Sequence, residues 1–159
     1  MSTEVATGHC LCGVIGFTTQ GEPLSISLCH CESCRRHSGG IAAPFATFRK
    51  DAVRWHGAKR ERYRSSPRVS RSFCSRCGSP LAYEHDDQPD EIDLYLGVFD
   101  DPARFPARQH VYYGERVAWF DTVDQTPRFR VSSLAGEPAV CVGPAGSTVT
   151  PSSTGPVTE

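Results

Sequence analysis

No apolar run in the chain is long enough to cross a bilayer, so no membrane-spanning helix is expected. Net charge is nearly absent too, at -1 near neutrality, which excludes a global electrostatic pull toward nucleic acid or membrane. Residues 1–7 carry neither the basic segment nor the apolar stretch of a secretory signal. The expected location is therefore the reducing cytoplasm. Internal repeats, a phosphate loop, a nucleotide-binding fingerprint and a Ser-His-Asp set are also missing, which removes solenoids and several common enzyme classes. Sustained helical periodicity is absent as well.

What remains is a chain of 159 residues, 38% of them hydrophobic, enough for one packed domain. Short β-like segments dominate. Residues 13–19, 41–49, 68–73 and 81–84 are candidate strands. Leu24, Ile26 and Leu28 alternate with polar or small residues, the period of a half-buried strand. Residues 91–99 place Ile92, Leu94, Leu96 and Val98 on one face and give the clearest strand. Residues 109–113 and 117–120 are weaker candidates. One helical turn is expected over 32–37, ended by Gly39-Gly40. From 132 onward Gly, Pro, Ser, Thr and Ala take over, and such a composition cannot offset its ordering entropy. The expected organisation is a domain over 1–131 and a flexible tail over 132–159, with Cys141 as a spare thiol.

Charge is segregated along the chain. Residues 49–76 hold ten Lys and Arg against Asp51 and Glu61, whereas residues 77–103 hold eight acids and no Lys or Arg. Two readings are open. Adjacent antiparallel strands can attract each other through their exposed faces, or the basic block can form one wall of a pocket for an anion.

Cysteine is abundant, with eight in the chain, and without an export signal their close spacing points to metal rather than disulfides. Seven fall into three arms. Cys10-Leu11-Cys12 is a C-x-C arm, and alternate residues of an extended segment face one side. Cys74-Ser75-Arg76-Cys77-Gly78 is a C-x-x-C-G knuckle, where glycine permits the tight turn. Cys29-His30-Cys31-Glu32-Ser33-Cys34 is a tridentate arm. Structural zinc takes four ligands, whereas catalytic zinc keeps three and an open position. Seven thus divides into a closed site, Cys10/Cys12/Cys74/Cys77, and an open site, Cys29/Cys31/Cys34, giving two zinc ions per chain. Alternatives for the second site are closure by His30 or His37, or metal-free thiols. His9, His56, His85 and His110 read as ordinary surface or core residues.

These residues resemble the family of glutathione-dependent formaldehyde-activating enzymes, which includes centromere protein V. The matching motifs are Gly8-His9-Cys10-Leu11-Cys12-Gly13, the arm from Cys29 continued through Arg35-Arg36-His37-Ser38-Gly39, Tyr63-Arg64-Ser65-Ser66, and Arg71 through Leu81. Gly97-Val98-Phe99-Asp100-Asp101-Pro102 and His110-Val111-Tyr112 complete them. The resemblance covers roughly residues 8–130. It implies a mainly β fold, a zinc-bound β-tent of antiparallel sheets with one short helical turn. It implies the same two ligand sets, with Cys29, Cys31 and Cys34 as the catalytic zinc ligands. It also implies carbon–sulfur lyase chemistry, joining a small aldehyde such as formaldehyde to a thiol such as glutathione. Tyr112-Tyr113-Gly114 departs from the family pattern, in which a tryptophan and small polar residues often follow the histidine. Arg35, Arg36 and Arg71 are candidates for binding the thiol's carboxylates; for each, surface ion pairing is an equally open reading. The rival reading is a non-enzymatic zinc module for protein or nucleic-acid partners. An open second site in a concave pocket favours the enzyme, and a closed site on a flat basic face favours the module.

Overall fold

A computed structural model describes residues 4–135. Two sheets pack face to face. A three-stranded antiparallel sheet has the order β1 (Val5–His9), β2 (Ile15–Gln20), β5 (Val53–Gly57). The second sheet has seven strands in the order β10 (Gln109–Val111), β3 (Ser25–Cys29), β4 (Ala43–Arg49), β9 (Glu91–Tyr95), β8 (Pro80–His85), β7 (Val69–Phe73), β6 (Glu61–Ser66). All its pairs are antiparallel except β10 with β3, which run parallel. One helix, α1 (Glu32–Ser38), follows β3; Gly39 ends it by donating its N–H to the Arg35 carbonyl. No helix among the described residues is long and apolar enough to cross a membrane.

The main core lies between the sheets. Ile26, Phe48, Ile92 and Leu94 point from the larger sheet toward Phe17, and Phe99 and Phe105 close the layer. Phe17 meets Phe99 edge-on with ring centroids 5.0 Å apart, and Trp55 lies 5.4 Å away on its other side. Because strand side chains alternate, the residues between these apolar ones face the opposite side. Ser25, Ser27, Phe45, Thr47 and Asp93 thus line a cavity on the outer face of the larger sheet.

The alternating pattern over 91–99 is only partly a strand. The chain leaves the sheet at Tyr95, and Leu96–Val98 forms a 3-10 turn. Leu96 is still buried, so its hydrophobicity reports burial and not extended geometry. Leu24 is exposed, and of the Leu24/Ile26/Leu28 set only Ile26 is fully buried. Residues 117–120 form a turn in place of a strand. Three strands carry no sequence signal. β1 fills its inward positions with small residues, Ala6 and Gly8. β5 alternates only weakly, and β6 is an exposed edge strand of charged and hydroxyl residues.

The segregated charges meet across β6, β7 and β8. Glu84 on β8 takes Lys50, Arg60 and Arg62, while Arg64 pairs with Asp86 and Arg68 with Asp87. Five of the ten basic residues of the block thus pair with acids that follow it in sequence, three of them on Glu84, and Arg71 alone of the block's arginines reaches the cavity. The chain after β10 is organised by Arg128, which is fully buried. Its guanidinium donates to the Thr122 and Thr126 carbonyls at 2.8 and 2.9 Å and to the Asp124 carboxylate at 3.2 Å. The boundary expected at 131 crosses a docked segment: Tyr112 donates its N–H to the Val131 carbonyl at 2.9 Å, and Gln109 reaches Ser133 at 3.2 Å. Most of the expected tail, including Cys141, lies outside the described residues.

Candidate functional site

The seven described cysteines gather into two groups, and no two of them form a disulfide. In the first, Cys10, Cys12, Cys74 and Cys77 bring their four sulfurs within 4.8 Å of one another. Cys10 and Cys12 lie in the turn between β1 and β2, and Cys74 and Cys77 in the turn between β7 and β8. The two turns share one construction. Gly13 donates to the Cys10 carbonyl at 2.9 Å and Gly78 to the Cys74 carbonyl at 2.8 Å. Both glycines have positive φ, 76° and 78°, which glycine adopts without a Cβ clash. Ser79 ties the turns together by accepting from the Leu11 N–H at 2.9 Å.

Sulfur spacing tests whether zinc fits. A Zn–S bond of about 2.3 Å in a tetrahedron requires S···S edges of about 3.8 Å. Cys10 and Cys12 are 3.6 Å apart, and Cys12 and Cys74 are 3.9 Å apart. The Ile15 N–H also points at the Cys10 sulfur from 3.4 Å, which favours a thiolate there. The set therefore fits a closed tetrahedral ion joining segments 62 residues apart.

The second group is Cys29, Cys31 and Cys34, also within 4.8 Å of one another. Cys29 ends β3, Cys31 caps α1, and Cys34 lies in its first turn. The helix starts here because the Cys31 sulfur accepts the Cys34 N–H at 3.3 Å, in the manner of an ordinary capping oxygen. Among the described residues no histidine nitrogen or carboxylate joins the group. His37 instead bonds the Tyr95 hydroxyl at 2.9 Å, and His30 turns away to His110 at 2.8 Å. The donor set thus suits a zinc with one position open. Hydrogen bonds from Cys29 and Cys34, then the Cys34 N–H and the Arg71 charge, pull the Cys31 thiol far below its ordinary value. The same contacts, with burial, push Cys29 up.

Cys29, Cys31 and Cys34 lie at one end of the cavity on the outer face of the larger sheet, whose volume is about 850 Å³. That size suits a small-molecule site. Arg71, 3% exposed, is the cation of this end. It donates to the Cys34 sulfur and the Tyr95 hydroxyl, each at 3.5 Å, and to Ser65 at 3.0 Å, and it stacks over the Tyr83 ring at 5.1 Å. Arg71 is thus placed in the cavity, but Arg35 and Arg36 are not among its lining residues. Arg36 pairs instead with Glu32 on the exposed face of α1 at 2.8 Å. Arg71 donates to the Tyr95 oxygen, and the Tyr95 hydroxyl and His37 Nδ1 share a hydrogen bond at 2.9 Å. Burial first, then the Arg71 charge, lowers His37, which favours its neutral ring.

Two features carry no sequence signal. Asp93 sits half-buried on the cavity wall; burial pushes its carboxyl up to about 6, although Thr47 donates to it at 2.6 Å. Behind the cysteine arm, Asp124 accepts from His110 Nε2 at 3.2 Å, so His110 Nδ1 is left to accept from His30 Nε2. His30 is fully buried, and burial lowers it to about 4. His30 stands between Cys29 and Cys31, which made it, with His37, an alternative for closing that site; only the fold shows that its ring anchors the arm to the chain beyond β10.

Comparison with known proteins matches this geometry. A protein of Schizosaccharomyces pombe named an uncharacterized lyase is 29% identical over 129 residues, covering 80% of this chain and 92% of its own. A crystal structure of a Rhodobacter sphaeroides protein shares the fold with a TM-score of 0.51 at 23% identity, covering 59% of this chain and 87% of that one. The sequence model of the glutathione-dependent formaldehyde-activating enzymes matches residues 5–115, which span both cysteine groups and all of the cavity lining except Ser132, Ser133 and Leu134. That match covers well over half of the chain, and the chain belongs to the glutathione-dependent formaldehyde-activating enzyme family.

Proposed function

We propose that this protein catalyses reversible addition of a thiol to a small aldehyde, of the S-(hydroxymethyl)glutathione synthase type and in the carbon–sulfur lyase class. The observation that carries the reading is the set of three sulfurs at one end of a cavity large enough for a tripeptide-sized thiol. Cys29, Cys31 and Cys34 hold a zinc, and Cys10, Cys12, Cys74 and Cys77 hold a structural one. When bound at the three-sulfur site, zinc supplies a soft acceptor for the substrate sulfur and lowers its pKa.

The chain's own residues do the rest. Three thiolates concentrate negative charge, and the Arg71 guanidinium, 3.5 Å from the Cys34 sulfur, offsets it. Ser65 and the Tyr83 ring fix that guanidinium in place. The cavity wall shields the reacting carbon from bulk water, and the Tyr95–His37 pair offers a nearby route for a proton between hydroxyl and imidazole. In the forward direction the substrate sulfur forms a bond to the aldehyde carbon, and the carbonyl oxygen takes up the proton released from the thiol. The reverse reaction breaks the same C–S bond. Such chemistry needs reduced cysteines, which supports a reducing compartment such as the cytoplasm.

Zinc-replete full-length protein, mixed with formaldehyde and glutathione, tests the reading by NMR exchange between free and adducted formaldehyde. The expected outcome is exchange well above the uncatalysed rate, and its loss in Cys31→Ser. Exchange no faster than in buffer removes the enzyme reading and leaves a zinc module. The concave site argues against the module.

A further inference from the structure

One backbone position in the cavity wall is strained. Among the described residues Tyr112 is the only non-glycine residue with positive φ, at 52°. A bulky side chain is disfavoured there, whereas glycine would adopt the same conformation freely. The surroundings impose it. Tyr112 donates its N–H to the Val131 carbonyl and Tyr113 donates to the Phe129 carbonyl, each at 2.9 Å. Glu115 closes a 3-10 turn by donating its N–H to the Tyr112 carbonyl at 3.0 Å. The carboxylate of the same Glu115 accepts the Glu32 N–H at 2.8 Å, directly after Cys31. The turn is thus tied to the first residue of α1, beside the cysteine arm.

Strain of this kind persists mainly at functional sites, where it aims a side chain. The Tyr112 ring packs on the cluster of Cys29, Cys34, Phe45 and Tyr95 and lines the cavity. Among the described residues its hydroxyl has no hydrogen-bond partner, and it is not sealed from the cavity. Two other phenols stand nearby. Tyr95 shares its hydroxyl with His37 and Arg71. Tyr83 lies beneath the Arg71 guanidinium and pairs across the sheet with Asp93. Burial pushes both the Tyr83 and the Tyr112 phenol up. Next in size on Tyr83 comes Asp93, whereas on Tyr112 it is Cys29, then Cys31 and Cys34. Tyr112 is therefore an uncommitted hydroxyl beside all three sulfurs. Arg71 keeps Nη2 unpaired as well, and its charged fork suits a carboxylate of the thiol.

We infer that the Tyr112 hydroxyl binds the carbonyl oxygen of the aldehyde as the C–S bond forms, which makes Tyr112 a catalytic residue. This inference rests on the thiol–aldehyde reading and adds a group to it. In an adduct whose sulfur is seated at the cysteines, the former carbonyl oxygen is two bonds from that sulfur, so its donor must stand beside them. The thiol sulfur forms a bond to the carbonyl carbon, and the C=O π pair moves onto oxygen. The Tyr112 O–H donates to that oxygen while the charge develops. The proton released from the thiol then completes the hydroxyl, and the phenol keeps its own. In the reverse direction the same hydrogen bond holds the oxygen as the C–S bond breaks.

The test is Tyr112→Phe, which keeps the ring and removes the donor. Zinc content, melting temperature, calorimetric binding of glutathione and saturated exchange with formaldehyde are measured on zinc-replete full-length protein. The variant is expected to keep its zinc and to melt within a few degrees of the parent. An interaction made only in the transition state lowers kcat and leaves ground-state binding alone. Glutathione should therefore bind within about threefold of the parent, while kcat falls at least about tenfold. A smaller fall in kcat overturns the inference and leaves the reaction itself in place. Weaker glutathione binding with kcat retained assigns the hydroxyl to the thiol and overturns it too. If the parent exchanges formaldehyde no faster than buffer, the thiol–aldehyde reading fails and this inference fails with it. Tyr112→Trp, which also fills the ring site without a phenol, repeats the comparison if the first variant loses zinc.

Discussion

The two cysteine groups use the same side chain for opposite structural purposes. The four-sulfur group joins turns 62 residues apart, with one glycine-closed turn from each sheet. The three-sulfur group lies within residues 29–34 and joins nothing distant through its sulfurs. It is held from outside, by Arg71 on one side and by the His30–His110–Asp124 chain on the other. Ligands that cross-link remote segments stabilise the fold by the loop they close. Ligands held by their surroundings leave stability elsewhere and keep a coordination position free.

Breaking the first group should give the largest effect. Cys74→Ser is expected to abolish stable folding. A structural zinc contributes about 10–16 kcal/mol of apparent binding energy in small zinc peptides, against a total stability of about 5–15 kcal/mol for a typical domain. Circular dichroism and zinc content of the purified chain measure this. A folded, cooperative Cys74→Ser protein would end the division between the sites.

Breaking the second group should leave the fold and remove the chemistry. Cys31→Ser is expected to keep one zinc per chain, to melt within a few degrees of the parent, and to lose adduct exchange at least a hundredfold. Unfolding as severe as in Cys74→Ser would make both groups structural.

The anchors sharpen the contrast further. Arg128→Met strips the buried cation from Asp121 and Asp124 and loosens the segment that holds His110. Removing one partner of a well-buried ion pair costs about 3–5 kcal/mol, and less here because the carboxylates are partly exposed. The expected result is faster chelator-driven loss of one zinc, with the other unaffected. Equal acceleration at both sites would show that the segment serves the whole fold.

The smallest effect belongs to the cavity wall. Asp93 has its folded pKa raised from 3.8 to about 6. The folded state therefore binds the proton more tightly than the unfolded one, and the associated stability is full below about 4 and lost as pH rises through about 6. A shift of about two units corresponds to roughly 2–3 kcal/mol as an upper bound. Asp93→Asn should flatten this fall between pH 4 and 7 in urea titrations, and an unchanged slope would assign it to other groups.

The two cysteine groupings were legible in the sequence because C-x-C and C-x-x-C-G spacings act over two to four residues, where backbone geometry alone aims the sulfurs. The capping of α1 was legible for the same reason, since Gly39 stands where the helix must stop. Of the two readings open for the segregated charge blocks, pairing between neighbouring strands describes most of the contacts seen from β6 to β8, and only Arg71 enters the cavity. Other features were not legible. β1 and β6 lack apolar alternation, one because its inward residues are small, the other because an edge strand faces solvent on both sides. The 3-10 turn after Tyr95 was hidden because Leu96 is as buried as a strand residue.

By itself the sequence determined the number of metal centres to expect, which cysteines share each, and a mainly β chain around them, since all of these follow from local spacing. Tertiary structure decided which histidine is an anchor, which arginine reaches the sulfurs, and that Glu91, Asp93 and Glu115 stand on the cavity wall with no cation at salt-bridge distance among the described residues. Each of these depends on the register of β3, β4, β9, β8 and β7 across one sheet. A one-residue slip in any of those strands would turn its cavity-facing side chains into the core. The register is set by the packing of Ile26, Phe48, Leu94 and Phe17 on the far side, so the chemistry of the cavity is fixed by residues that never face it.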